Sequence, residues 1–113
     1  MKLQKIVNLT PHAINIRTDR EIEIPPSGII ARCEEKTEAV DNIEYQNSVI
    51  PVIQKRLGCV TNLPPPEEGT VYIVSMAVAQ ACPERKDVLT IGEPIRDEKG
   101  RIIGASSLAT FSA

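Results

Sequence analysis

Apolar and polar residues alternate with a period of two along most of the chain, and this predicts strands rather than helices. Leu3, Lys5, Val7 and Leu9 interleave with Lys2, Gln4, Ile6 and Asn8, which gives a first strand with a largely buried middle. Thr10-Pro11-His12 interrupts it, because proline lacks a ladder donor and restricts the residue before it. Ile14 and Ile16 then share one face. After the polar turn Thr18-Asp19-Arg20, residues 21–24 alternate again, so the two runs form a hairpin. Pro25-Pro26-Ser27-Gly28 closes that unit as a turn. Residues 29–35 read as a further strand, 36–42 as a charged bend and 43–46 as a short strand. Residues 49–53 are apolar but contain Pro51, which predicts an edge or bulged strand. A turn is expected at Gly58, and residues 63–69, with three consecutive prolines, read as a polyproline-like crossing.

One segment departs from this period. Residues 71–74 form a buried apolar strand, and Ser75 follows as a good N-cap for residues 76–82, where three alanines with Met76 and Gln80 favour helix. Pro83 ends the helix after about two turns, a length that is unstable without packing, so the helix must lie on the sheet. Residues 87–90 are extended, 94–96 lead into a turn, 97–100 make a tight hairpin turn, and 101–104 and 107–111 are the last strands. The prediction is one α+β domain over residues 1–113, mostly antiparallel β-sheet with one short helix.

Composition narrows the function classes. The chain has 113 residues, with 13 Lys+Arg against 15 Asp+Glu. That balance argues against a protein that coats a nucleic acid polymer, which normally presents a strongly basic face. Besides His12, the only aromatic side chains are Tyr45, Tyr72 and Phe111, too few for a base-stacking platform. No stretch approaches the roughly 18–20 apolar residues that span a bilayer, and the N-terminus lacks the apolar run of a secretory signal; no membrane association is expected. Cys33, Cys59 and Cys82 are spaced too widely for a metal knuckle, so they are expected to be reduced thiols in a cytosolic protein, with no metal and no cofactor.

Candidate chemistry clusters where strands end. Ser75, with Met76 behind it, opens a helix whose first turn presents unpaired N–H groups and a positive partial charge. It either binds a phosphate or carboxylate there or simply caps its own helix. Arg85 offers a guanidinium fork to an anion, or pairs with Glu84 or Asp87 at the surface. His12 is the chain's one imidazole: a general acid or base, a partner for a nucleobase, or an anchor for its own turn. Asn8 and Thr10 can bond that same turn. Residues 96–101 read as a solvated hairpin tip, and neither a phosphate-binding glycine loop nor a dinucleotide fingerprint is present.

Val7-Asn8-Leu9-Thr10-Pro11-His12-Ala13-Ile14, Pro25-Pro26-Ser27-Gly28, Gly69-Thr70-Val71-Tyr72-Ile73-Val74-Ser75, Pro83-Glu84-Arg85-Lys86-Asp87 and Arg96-Asp97-Glu98-Lys99-Gly100-Arg101-Ile102-Ile103-Gly104 together resemble a family of small proteins of tailed bacteriophages and related prophages. The resemblance implies a phage context, hence the bacterial cytosol. By analogy with compact phage accessory proteins, it points to sequestration of an anionic, nucleotide-derived immune signal and so to blocking of host defence. The ligand-binding set is then Asn8, Thr10, His12, Ser75, Met76, Arg85 and Asp87, in a pocket that a chain this small is expected to complete as a homo-oligomer. Two alternatives stand beside it: a metal-independent phosphodiesterase acting on cyclic dinucleotides with His12 as acid or base, and a virion or scaffold part without a small-molecule site.

Overall fold

A computed structural model describes residues 3–112; Lys2, assigned above to the first strand, lies outside them. Three strands form a parallel set: β1 (Lys5–Asn8), β6 (Thr70–Ile73) and β7 (Val88–Ile91), with β10 (Leu108–Ala109) antiparallel at the β7 edge. All four residues of β6, the centre of the set, are buried, as expected for a strand covered on both faces. A second sheet runs β3 (Glu21–Ile24), β2 (Ile14–Arg17), β9 (Ile102–Ala105), β8 (Pro94–Arg96), with the predicted β2–β3 hairpin at one edge. Here β2 and β9 are parallel, and Gly104 lets them close up, because a Cβ there would sit 3.0 Å from the Asn15 carbonyl oxygen. The chain is thus mainly strands with a short helix, in mixed and antiparallel sheets, with parallel pairing at β1–β6, β6–β7 and β2–β9. The β6–helix–β7 crossover forces parallel pairing, which local alternation could not reveal.

Alternation along β6 sends successive side chains to opposite layers. Tyr72 joins Leu9, Val74, Val78, Ala79 and Val88 in one core, and Ile73 joins Ile14 and Ile24 in the other. The helix α1 (Met76–Ala81) covers the first of these faces, and the second sheet covers the other. Ser75 caps α1 as predicted, its Oγ accepting a hydrogen bond from the Val78 amide at 3.4 Å. Ser75→Ala should therefore cost about 1 kcal/mol in urea unfolding; no change would mean that packing of Val78 alone fixes the helix. No helix among the described residues is long and apolar enough to cross a membrane.

The largest departure from the sequence reading is the middle of the chain. Residues 36–42 do not bend and Gly58 does not turn. Instead β4 (Arg32–Tyr45) and β5 (Ser48–Thr61) run as one antiparallel ribbon, each strand 14 residues long. Gln46 and Asn47 join them, both at positive φ (49° and 64°), the pattern that matches the right-handed twist of a hairpin. Pro51 is accommodated within the ribbon, and bulges fall near Val40 and Gly58. Only the base of the ribbon, through Cys33 and Val60, packs on the body. The rest projects as an arm and raises the radius of gyration to 17.5 Å, against roughly 13 Å for a compact chain of this length.

Candidate functional site

The three parallel strands all end on the same side of the molecule. From β1 the chain passes to the second sheet, whereas from β6 it passes to α1 on the opposite face. Neighbouring parallel strands whose connections diverge in this way leave a crevice beyond their carboxyl ends, the usual ligand position in open sheets. Here the crevice is a cavity of about 560 Å³. Its floor is apolar, with Ile14, Val74, Ile91 and Ile103 among the walls, and its polar groups are Thr10, His12, Asn15, Ser75 and Thr90. His12 and Ser75, assigned from sequence to different turns, therefore face one hollow, with Met76 beside them.

Asn8 holds that geometry without reaching the cavity. It is 1% exposed, and all four of its hydrogen-bonding positions are used. Its Nδ2 donates to the carbonyl oxygens of His12 (2.8 Å) and Ile24 (3.0 Å). Its Oδ1 accepts from the Thr10 amide (2.9 Å) and the Thr10 hydroxyl (2.6 Å). Asn8 thus ties the β1–β2 turn to the β2–β3 hairpin. Its place in the predicted ligand set is corrected to a positioning role, because no polar atom of it is left over. Thr10 Oγ1 also lies 3.0 Å from the His12 carbonyl, so its single proton is shared between that oxygen and the nearer Asn8 Oδ1.

Arg85 and Asp87 are placed elsewhere. The Arg85 fork meets Asp87 in two bonds of 2.8 Å, and Nη2 also donates to the Pro64 carbonyl at 3.0 Å. Tyr72 donates its hydroxyl to the neighbouring Pro65 carbonyl, so this cluster pins the proline-rich crossing to the body. The hydrogen bond from Arg85 holds the Asp87 carboxyl below the usual carboxylate range, and that same bond raises the guanidinium. Neither residue lines the cavity beside His12. The sequence reading of these two as ligand groups is corrected for this reason: the fork is occupied.

The cation beside Ser75 is Arg32. A smaller hollow of about 270 Å³ adjoins the main cavity and shares its rim of Thr10, Pro11 and Ser75, while Arg32, Ala31, Cys33 and Ala77 form its other walls. The Ala31 amide donates to the Leu9 carbonyl at 3.0 Å and so brings the start of β4 against the turn that carries Thr10. That pairing spans more than twenty residues, and nothing in the local sequence around Arg32 signals it. The thiols take no part that the geometry suggests. Cys82 is buried, with burial raising its pKa, Cys33 is half-buried and Cys59 is exposed. Among the described residues no group of three His, Cys, Asp or Glu side chains is placed to hold a metal ion.

Fold and site together define a small mixed-sheet protein with a two-lobed hollow at the carboxyl ends of its parallel strands. Comparison of the chain with protein-family models, with curated proteins and with solved structures finds no match.

Proposed function

We propose that this protein binds and sequesters a small nucleotide-like ligand, with the base in the larger lobe beside His12 and the anionic part in the smaller lobe beside Arg32. One observation carries the reading: a cavity with apolar walls and an imidazole shares its rim with a second hollow that contains a guanidinium. A flat heterocycle suits walls of Ile14, Ile91 and Ile103, since such sites are mainly apolar with a few polar groups that set orientation. A phosphate suits an exposed arginine, by charge-assisted hydrogen bonds. Ser75 stands between the lobes and can still donate its hydroxyl proton while its oxygen caps α1. Taken with the phage resemblance of the sequence, the ligand class is a nucleotide-derived immune signal, and the role is to lower its free concentration in the infected cell.

Isothermal titration against cyclic mono- and dinucleotides and ADP-ribose derivatives tests this. Saturable binding of at least one is expected, with ligand recovered intact after denaturation of the complex. His12→Ala and Arg32→Ala should each weaken it by about tenfold or more, the equivalent of one lost hydrogen bond. Only the Arg32 contribution should fade with added salt. Absence of binding to every member of the panel by folded protein would count decisively against the proposal, and recovery of a cleaved product would replace sequestration by catalysis.

A further inference from the structure

Position 90 carries a hydroxyl where packing alone would favour an apolar side chain. Alternation along β7 puts Val88 and Thr90 on one face, and Val88 belongs to the core under α1 with Tyr72, Val74 and Val78. Thr90 continues that row, is 5% exposed, and lies opposite the small Ala109 of β10. Valine has nearly the same shape and would fill the position with no polar atom to satisfy.

Nothing in the fold uses this hydroxyl. Of the other two at the cavity, Thr10 shares its proton between Asn8 and His12 and Ser75 caps α1, whereas that of Thr90 hydrogen-bonds to no described residue. Every side-chain nitrogen or oxygen sealed from solvent among the described residues does have a partner. The Thr90 oxygen is therefore open, and what it opens on is the cavity whose wall Thr90 forms. A hydroxyl held almost wholly in apolar surroundings without a partner costs stability, and such departures from good packing are expected where function requires them.

The wall of this larger lobe contains no Asp, Glu, Lys or Arg. A charge taken into it would lose water without gaining a counter-charge. The anionic part of a ligand is thereby left to the lobe that holds Arg32, and the part that reaches Thr90 is neutral. On the binding role proposed above, we infer that Thr90 is the specificity-determining contact: its hydroxyl pairs with a polar atom on the edge of a neutral nucleobase. A hydroxyl both donates and accepts, so a ring nitrogen, a carbonyl or an amino group satisfies it. An apolar edge of the same shape leaves it unpaired and is rejected. His12 discriminates less, because it is exposed and water pairs with it when the ligand does not.

Thr90→Val separates a ligand contact from a structural one by the signs of two measurements. The urea midpoint should stay equal or rise, because the change removes an unpaired hydroxyl and adds apolar surface. In isothermal titration, affinity for each cyclic nucleotide or ADP-ribose derivative that wild type binds should fall about tenfold or more. Thr90→Ser keeps the hydroxyl and should stay within about threefold of wild type. Ribose 5-phosphate, which lacks the base, should behave alike with wild type and Thr90→Val. A lowered midpoint in Thr90→Val would reveal a structural partner and overturn the inference. So would unchanged nucleotide affinity, or an equal loss for ribose 5-phosphate. Unchanged affinity leaves sequestration standing on other contacts, whereas a wild-type protein that binds no nucleotide overturns both.

Discussion

Asn8→Asp is expected to destabilise the fold by about 3 kcal/mol or more at neutral pH, although the side chain keeps its shape. The two acceptor bonds from Thr10 survive the change, but the amide that donates to the His12 and Ile24 carbonyls does not. A carboxylate oxygen then faces carbonyl oxygens at a position 1% exposed, and a buried charge without a donor is among the few single changes that reach this size. Asn8→Ala should cost somewhat less, about 2–3 kcal/mol, because it leaves orphaned backbone groups but no charge. Urea unfolding measures both. The order of the two variants is the informative part: alanine worse than aspartate would show that the Thr10 bonds, not the His12 and Ile24 bonds, matter most. In whatever fraction stays folded, the turn that carries His12 loses its clamp, so ligand affinity should fall as well.

The same residue shows what could be read from the chain before its fold was known. Asn8, Thr10 and His12 stand out because a proline breaks a clean alternation between them, and broken alternation marks a place where the backbone needs side-chain partners. Ser75 stands out for a related reason, since an apolar strand gives way to an alanine-rich run with Pro83 behind it. Those signals are local, and the β2–β3 hairpin and the capped helix formed as they indicate. Their meeting in one cavity was not legible, because it depends on β1 and β6 being parallel neighbours, a pairing across more than sixty residues. The arm was illegible for a different reason. Both of its faces meet water, so no apolar–polar alternation distinguishes inside from outside, and Lys36 to Asn42 looks like a loop. Gly58, Pro51 and a Gln46-Asn47 turn without glycine all argue locally against strands that only the long ladder sustains. Arg85 stands out in the sequence because it follows the capped helix, but its acidic neighbour Asp87 occupies the fork, whereas nothing local marks Arg32, whose place at the smaller hollow depends on the long-range contact at Ala31.

That occupied pair provides the second large effect. Arg85→Ala is expected to destabilise the protein by about 2 kcal/mol, less than the 3–5 kcal/mol for a fully buried pair, because the two side chains are 19% and 18% exposed. It strands the Asp87 carboxylate and releases the Pro64 carbonyl at once. Arg85→Lys should recover only part of the loss, since an ammonium cannot make the two parallel bonds that the fork makes. The pH dependence has a definite sign. Asp87 titrates lower in the folded chain than in the unfolded one, so its contribution is fully present above the unfolded value, about 3.9. It is lost as pH falls from there through the folded value. Asp97 is also held low, by the Arg101 and Lys99 amides and the Arg101 side chain, and it contributes to the same acid limb. The difference between wild type and Asp87→Asn across pH 3 to 7 isolates the Asp87 part, and parallel stability curves would show that the pair adds nothing. Ligand affinity separates the two arginines: Arg85→Ala should leave it unchanged at temperatures where the chain stays folded, whereas Arg32→Ala weakens binding without a comparable loss of stability. The reverse outcome would move the anionic lobe to the proline-rich crossing and away from Ser75.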